Sequence, residues 1–206
     1  MKVMELEKVE TAPAVEEDRL RQLIDERIEA ILEEKKKAKT PSLAIIATKG
    51  TLDMAYPPFI LGSTAMALGW DVSIFFTFYG LELLKKDLEL KVSPLGNPAM
   101  PMKMPMGPEW FKNIDWPVPN TIASNMPGFE SAATALMEKT LETKGVASIA
   151  TLREAYLDGG GELYACQMTV DLFGFEPDEF IPEIAGWIGA ASYLPKSAEA
   201  DISLFV

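Results

Sequence analysis

The chain has 206 residues, 48% of them hydrophobic, enough for one α/β domain and an appendage. Its 19 basic residues against 31 acidic ones give a net charge of −12, which argues against non-specific binding to nucleic acid or to an anionic membrane surface, since both need a basic footprint. There is no histidine and one cysteine, Cys166, which excludes imidazole catalysis, histidine zinc sites, an intrachain disulfide and a Cys-x-x-Cys pair within one chain.

The first residues are charged and lack the apolar stretch of a secretory signal. The longest uncharged run, Met54 to Trp70, spans 17 residues, contains Pro57 and Pro58 and falls short of the roughly 20 apolar residues of a membrane span. The expectation is a soluble cytoplasmic protein without a membrane span, a compartment in which a lone thiol survives.

Residues 1–39 form a charged extension with 20 ionisable side chains. Met1 to Glu17 reads as disordered. Leu20, Leu23, Ile24, Ile28, Ile31 and Leu32 then recur at spacings of three and four, which predicts an amphipathic helix over about 18–37. Glu17 and Asp18 suit its start, and Lys35, Lys36 and Lys37 suit its end. Two readings stay open: a helix packed on its own domain, and a self-associating helix that builds an oligomer.

Residues 40–206 have the texture of an α/β domain. Leu43 to Thr48 is a short apolar run and reads as a strand buried on both faces. Lys49-Gly50-Thr51 makes the turn, and Asp53 is the expected cap of a helix to about Leu68, with the two prolines near its first turn and Gly69 as its stop. Asp71 to Phe78 predicts a second strand and Gly80 to Asp87 a short helix. Residues 91–128 hold eight prolines and five methionines and read as a long loop, with Asn120 to Ser124 as a strand candidate. Helices are predicted over Gly128 to Lys144 and from Ser148 to about Leu157, then a strand from Glu162 to Cys166 and a short helix beyond it. Ile188 to Tyr193 and Asp201 to Val206 are the last strand candidates. Alternating elements with apolar strands imply a parallel sheet flanked by helices.

Cys166 closes a predicted strand, at the sheet edge where open α/β folds bind ligands. A thiol at a strand–helix turn faces free backbone N–H groups, which favour a thiolate or a persulfide anion. A free cysteine is also a common small core residue, and residue type alone leaves both readings open. Asp171 and the net negative charge oppose ionisation, whereas Lys49 is the best-placed lysine to favour it. The candidate pocket therefore comprises Lys49, Gly50, Thr51, Gln167 and Met168 around Cys166. Lys49-Gly50-Thr51 lacks the glycine spacing of a phosphate loop. Met100, Met102, Met104 and Met106 offer soft thioethers for Cu(I) or, more simply, an adaptable apolar cover.

Several stretches together, ATKGTLDMAYPPFILGSTAMALG, VSPLGNPAMPMKMPMG, NMPGFESAATALMEKTLETKGV, ELYACQMTVDLFGFEPDEF and the AASYL and DISLFV tail, resemble the DsrE/DsrF/DsrH-like superfamily, in particular its soluble DsrE-type branch with an N-terminal helical extension. The resemblance covers roughly residues 40–206 and implies a three-layer α/β/α fold with a mainly parallel sheet of about five strands. It also implies homo-oligomers and a sulfur-carrier or sulfurtransferase role, in which the cysteine matching Cys166 takes sulfane sulfur as a persulfide from a rhodanese-like donor and passes it to a TusA-like carrier. No metal or cofactor is implied. Some relatives carry a second cysteine in the segment matching residues 110–128. This chain has none there, so a relay within one chain is excluded, and a sulfur carrier fits better than a true turnover enzyme. The alternatives are a non-catalytic oligomeric scaffold and a one-cysteine redox sensor.

Overall fold

Three apolar runs become adjacent parallel strands: β1 (Ser42–Ala47), β2 (Asp71–Phe76) and β3 (Glu162–Cys166). They belong to a computed structural model that describes residues 14–93, 103–104, 107–116 and 125–206. Two shorter strands complete the sheet, β4 (Gly186–Ile188) beside β3 and β5 (Ile202–Phe205) beside β1, in the order β4-β3-β2-β1-β5. All four pairings are parallel. Five of the six residues of β2 are buried, as expected for a strand covered on both faces.

Helices flank both faces of the sheet. On one face α2 (Leu52–Ala67) packs against α5 (Ile149–Asp158), and Phe59 lies 5.9 Å from the Phe76 ring and 6.2 Å from the Tyr156 ring. A Cβ on Gly62 would stand 2.8 Å from the Tyr156 ring, so this glycine sets how closely α2 meets its neighbour. Ile45, Ile74 and Leu163 contribute the sheet's side of this core. On the other face α7 (Ala190–Glu199) crosses from β4 to β5, at opposite edges of the sheet. Its Tyr193 stacks on Phe75 at 4.8 Å, in a smaller core with Ala44 and Cys166.

Between these elements lie α3 (Glu109–Lys112), α4 (Phe129–Thr143) and α6 (Gln167–Phe173), with a 3-10 helix over Phe78–Leu84. Several predicted boundaries shift. Thr51 rather than Asp53 holds the N-cap position of α2, without a side-chain cap hydrogen bond, and the buried Oδ1 of Asp53 has no hydrogen-bond partner among the described residues. With the N-cap two residues earlier than expected, the two prolines fall beyond the first turn of α2, where each omits a helical N–H bond. Strand β2 ends at Phe76 because Phe78 turns into the left-handed region at φ 49°. The Ile188–Tyr193 strand candidate is in large part helix α7, which the parallel geometry requires as the crossover to β5. Ser148 does cap α5, its Oγ accepting from the Thr151 N–H at 3.2 Å.

The chain divides into two units, Met1–Thr40 and Pro41–Val206. In the first, α1 (Ala14–Ala38) is a 25-residue helix that begins four residues before the expected start. Pro13 precedes it in the sequence. The disorder expected for Met1 to Glu17 gives way to helix from Ala14 onward, while residues 1–13, the Asn120–Ser124 strand and the methionines at 100, 102 and 106 lie outside the described residues.

Candidate functional site

Because every strand is parallel, the ends of β1, β2 and β3 lie along one edge of the sheet. Cys166 is the last residue of β3, and the chain turns there into α6 with Cys166 as the helix N-cap. Helix α6 has seven residues, so individual N–H groups rather than a long helix dipole act on the sulfur. Met168 and Thr169 are its second and third residues, the positions whose N–H groups face a capping side chain.

Beside Cys166, the end of β2 supplies a hydroxyl. Thr77 Oγ1 lies 3.1 Å from Thr169 Oγ1, and the Phe78 N–H donates to Thr169 Oγ1 at 3.4 Å. The turn that holds Thr77 is tightly constrained. The Thr77 N–H donates to the Ala47 carbonyl at 3.0 Å, and the Gly80 N–H donates back to the Thr77 carbonyl at 3.0 Å. A Cβ on Gly80 would run into the Ala47 carbonyl, and one on Gly50 into the Tyr79 carbonyl. Glycine at both positions lets the Phe78–Gly80 turn lie directly on the end of β1.

Burial alone pushes the Cys166 thiol pKa up. The Thr169 and Thr77 hydroxyls, with the backbone N–H groups of Thr169 and Met168, outweigh that burial and bring the thiol below its ordinary value. No cap hydrogen bond is closed to the side chain of Cys166. The Thr77 and Thr169 hydroxyls and the first N–H groups of α6 lie on the side of the sulfur where they favour its anion.

The sequence places the sulfur at an accessible rim, and the structure corrects this: Cys166 is only 2% exposed. The strand alternation turns its side chain, like that of Tyr164, toward the face covered by α7, where it joins Ala44, Phe75 and Tyr193. Lys49 lies at the end of β1 with β2 between it and β3, and it is not among the groups acting on the thiol. Gly50 supports the neighbouring turn, and Thr51 holds the N-cap position of α2. Gln167 donates from Nε2 to Asp171 Oδ1 at 2.8 Å, and that carboxylate is also absent from the groups acting on the thiol. Met168 contributes its backbone N–H, while its side chain is 62% exposed.

Thr77 and Thr169 were missed by the sequence reading. Thr169 carried a local signal, since it stands three residues after a helix-capping cysteine. Thr77 carried none, because only the pairing of β2 with β3 brings it near. A second feature emerges beside them. Phe78, Tyr79, Leu172 and Phe173 are all exposed, and the Phe173 ring meets Phe78 at 6.4 Å and stacks on Tyr79 at 6.0 Å. These side chains form an apolar ledge next to the cysteine turn. A separate cavity of about 450 Å³ is lined by Leu52, Tyr56, Leu90 and Glu138 among others and by none of the residues around Cys166.

This architecture defines a three-layer, open-sheet α/β protein with its single thiol at the C-terminal end of a central strand. The sequence profile of the DsrE/DsrF/DrsH-like family matches residues 39–205, and the chain belongs to that family. It is 51% identical over 164 residues to the sulfur carrier protein DsrE2 of Allochromatium vinosum, covering 80% of this chain and 97% of that protein. It is also 26% identical over 168 residues to the uncharacterised protein YrkE of Bacillus subtilis, covering 82% of this chain and 98% of that one. The solved structure of the ychN protein from E. coli aligns with a TM-score of 0.43 at 12% identity, over 81% of this chain and 100% of that chain. No helix among the described residues is long and apolar enough to cross a membrane.

Proposed function

We propose that this chain is a sulfur carrier that holds sulfane sulfur as a persulfide on Cys166 and hands it to a partner thiol. The observation that carries the reading is the placement of the sulfur: Cys166 ends β3 as the N-cap residue of α6, beside the hydrogen-bonded Thr77 and Thr169 hydroxyls, and these surroundings bring its thiol below the ordinary value. The extensive identity to a protein named as a sulfur carrier supports the same reading.

The chemistry balances without an oxidant. The Cys166 thiolate attacks the outer sulfur of a donor persulfide. The donor's S–S bond breaks, the donor leaves as a thiolate, and Cys166 carries the new S–S bond. An acceptor thiolate then attacks that outer sulfur, and Cys166 departs as the thiolate. The hydroxyls and N–H groups beside the sulfur act twice, raising the attacking fraction on loading and stabilising the leaving group on unloading. With Cys166 2% exposed, a donor reaches the sulfur only when the side chains that cover it move aside. The Phe78, Tyr79 and Phe173 ledge provides the apolar surface on which a rhodanese-like donor or a TusA-like acceptor rests.

The test is intact mass after incubation with inorganic polysulfide. The wild-type chain should gain mass in multiples of one sulfur atom, reversed by a reducing thiol, and Cys166→Ser should gain none. A folded wild-type chain that stays unloaded would refute the proposal.

A further inference from the structure

We infer that the rings of Phe78, Tyr79 and Phe173 form a clasp that holds α6 closed beside Cys166, and that the sulfur becomes accessible when this clasp parts while α7 stays in place. The inference rests on the reading of Cys166 as the reactive sulfur and adds which element moves to expose it.

The first observation is a contrast between the two sides of the sulfur. On the α7 side, Tyr193 is 1% exposed and stacks on Phe75 at 4.8 Å. Its hydroxyl donates to the Ser73 carbonyl at 3.1 Å and lies 3.3 Å from the Ile45 carbonyl, which fastens α7 to two central strands. Helix α6 has only seven residues. Its Met168, Leu172 and Phe173 side chains are 62%, 64% and 40% exposed, so little apolar burial holds it, the condition for low local stability. It ends at Gly174, which takes φ 67° with open space where a Cβ would stand, a point of backbone freedom.

The second observation is how α6 is joined to the turn after β2. Thr169, fully buried, pairs with Thr77 Oγ1 at 3.1 Å, and its Oγ1 accepts from the Phe78 N–H at 3.4 Å. The Phe173 ring meets Phe78 edge-on at 6.4 Å and stacks on Tyr79 at 6.0 Å. Phe173 is thus the hub of the ring contacts. The turn itself is fixed to β1 through the Ala47 carbonyl, so α6 is the member free to move.

The third observation is Phe78. Among the described residues it is the one residue other than glycine in the left-handed region, at φ 49°. That conformation is strained for a bulky side chain and open to glycine or asparagine at lower cost. The Phe78 side chain is 46% exposed, so its own burial offsets little of the strain. What phenylalanine contributes at this position is its ring against Phe173.

The experiment follows alkylation of Cys166 by iodoacetamide in the full-length chain, read by intact mass, at a pH where the rate has reached its plateau and the thiolate fraction no longer limits it. Phe173→Ala removes the hub, and Phe78→Asn removes a ring from a backbone that asparagine tolerates. Each should be alkylated several-fold faster than wild type. Tyr193→Phe loosens the α7 side and leaves the clasp intact, and its rate should stay close to that of wild type. Unchanged rates in the clasp variants would overturn the inference. An equal or larger acceleration in Tyr193→Phe would also overturn it, by assigning access to α7 or to unfolding of the whole chain. Far-UV circular dichroism matching wild type establishes folding, and Phe78→Asn decides the matter alone if Phe173→Ala does not fold. Polysulfide loading of the wild-type chain tests the carrier reading separately: loading without a clasp effect refutes only the clasp, and a clasp effect without loading refutes only the carrier role.

Discussion

At the scale of single residues, the thiol state of Cys166 is decided by opposing effects of known direction. Burial favours the neutral thiol, and the hydroxyls of Thr169 and Thr77 with two N–H groups favour the anion. The sign follows for reactivity. The thiolate fraction rises with pH through the thiol pKa, and a lowered pKa brings that rise to lower pH than in an ordinary cysteine. Replacing Thr169 by Val removes a hydroxyl and nearly preserves shape. The pH profile of alkylation by iodoacetamide should move to higher pH in Thr169→Val and, separately, in Thr77→Val. Identical profiles in all three proteins would leave these hydroxyls without a role. Gly80 is a second residue-scale case. A Cβ there meets the Ala47 carbonyl, a backbone atom that cannot swing aside. Gly80→Ala should therefore displace the turn bearing Thr77, slowing alkylation at neutral pH and lowering the midpoint of urea unfolding.

At the scale of elements, two helix–sheet contacts carry distinct expectations. Tyr193 of α7 sets its hydroxyl 3.1 Å from the Ser73 carbonyl, 3.1 Å from Ser73 Oγ and 3.3 Å from the Ile45 carbonyl, tying α7 to both β1 and β2. Tyr193→Phe keeps the ring on Phe75 but loses these partners, and should cost about 1–2 kcal/mol in urea unfolding. On the other face, Gly62→Ala pushes a methyl group at the Tyr156 ring, and overpacking of this kind costs about 1–3 kcal/mol. The double variant should cost the sum within about 0.5 kcal/mol, because the two contacts lie on opposite faces of the sheet. A large deviation would show that the two cores communicate. These elements differed in legibility. Ser148 as a cap, Gly69 after α2 and the strand–helix junction at Cys166 were readable because caps and apolar runs act locally. Helix α7 was not, because Pro195 within it and the small residues at its start obscure a helical pattern, and only the need to cross from β4 to β5 makes a helix the consistent choice.

At the scale of the whole molecule, every group that acts on Cys166 belongs to the Pro41–Val206 unit. Removal of residues 1–39 should therefore leave polysulfide loading, read by intact mass, unchanged in extent. Failure of a folded truncated chain to load would assign the extension a part in the sulfur chemistry.

The sequence by itself determined the chemical class open to this protein. With no histidine and one cysteine, side-chain thiol chemistry had to centre on Cys166, and the apolar strands alternating with helices dictated a parallel sheet. Those conclusions rest on composition and short-range periodicity, which a linear chain already contains. Only the tertiary structure decided that Thr77 and Thr169, 92 residues apart, share one hydrogen bond beside the sulfur, that Lys49 is not among the groups that set its ionisation, and that the thiol faces the core under α7 rather than open solvent. Strand order and side-chain facing are long-range choices, fixed by which surfaces bury one another.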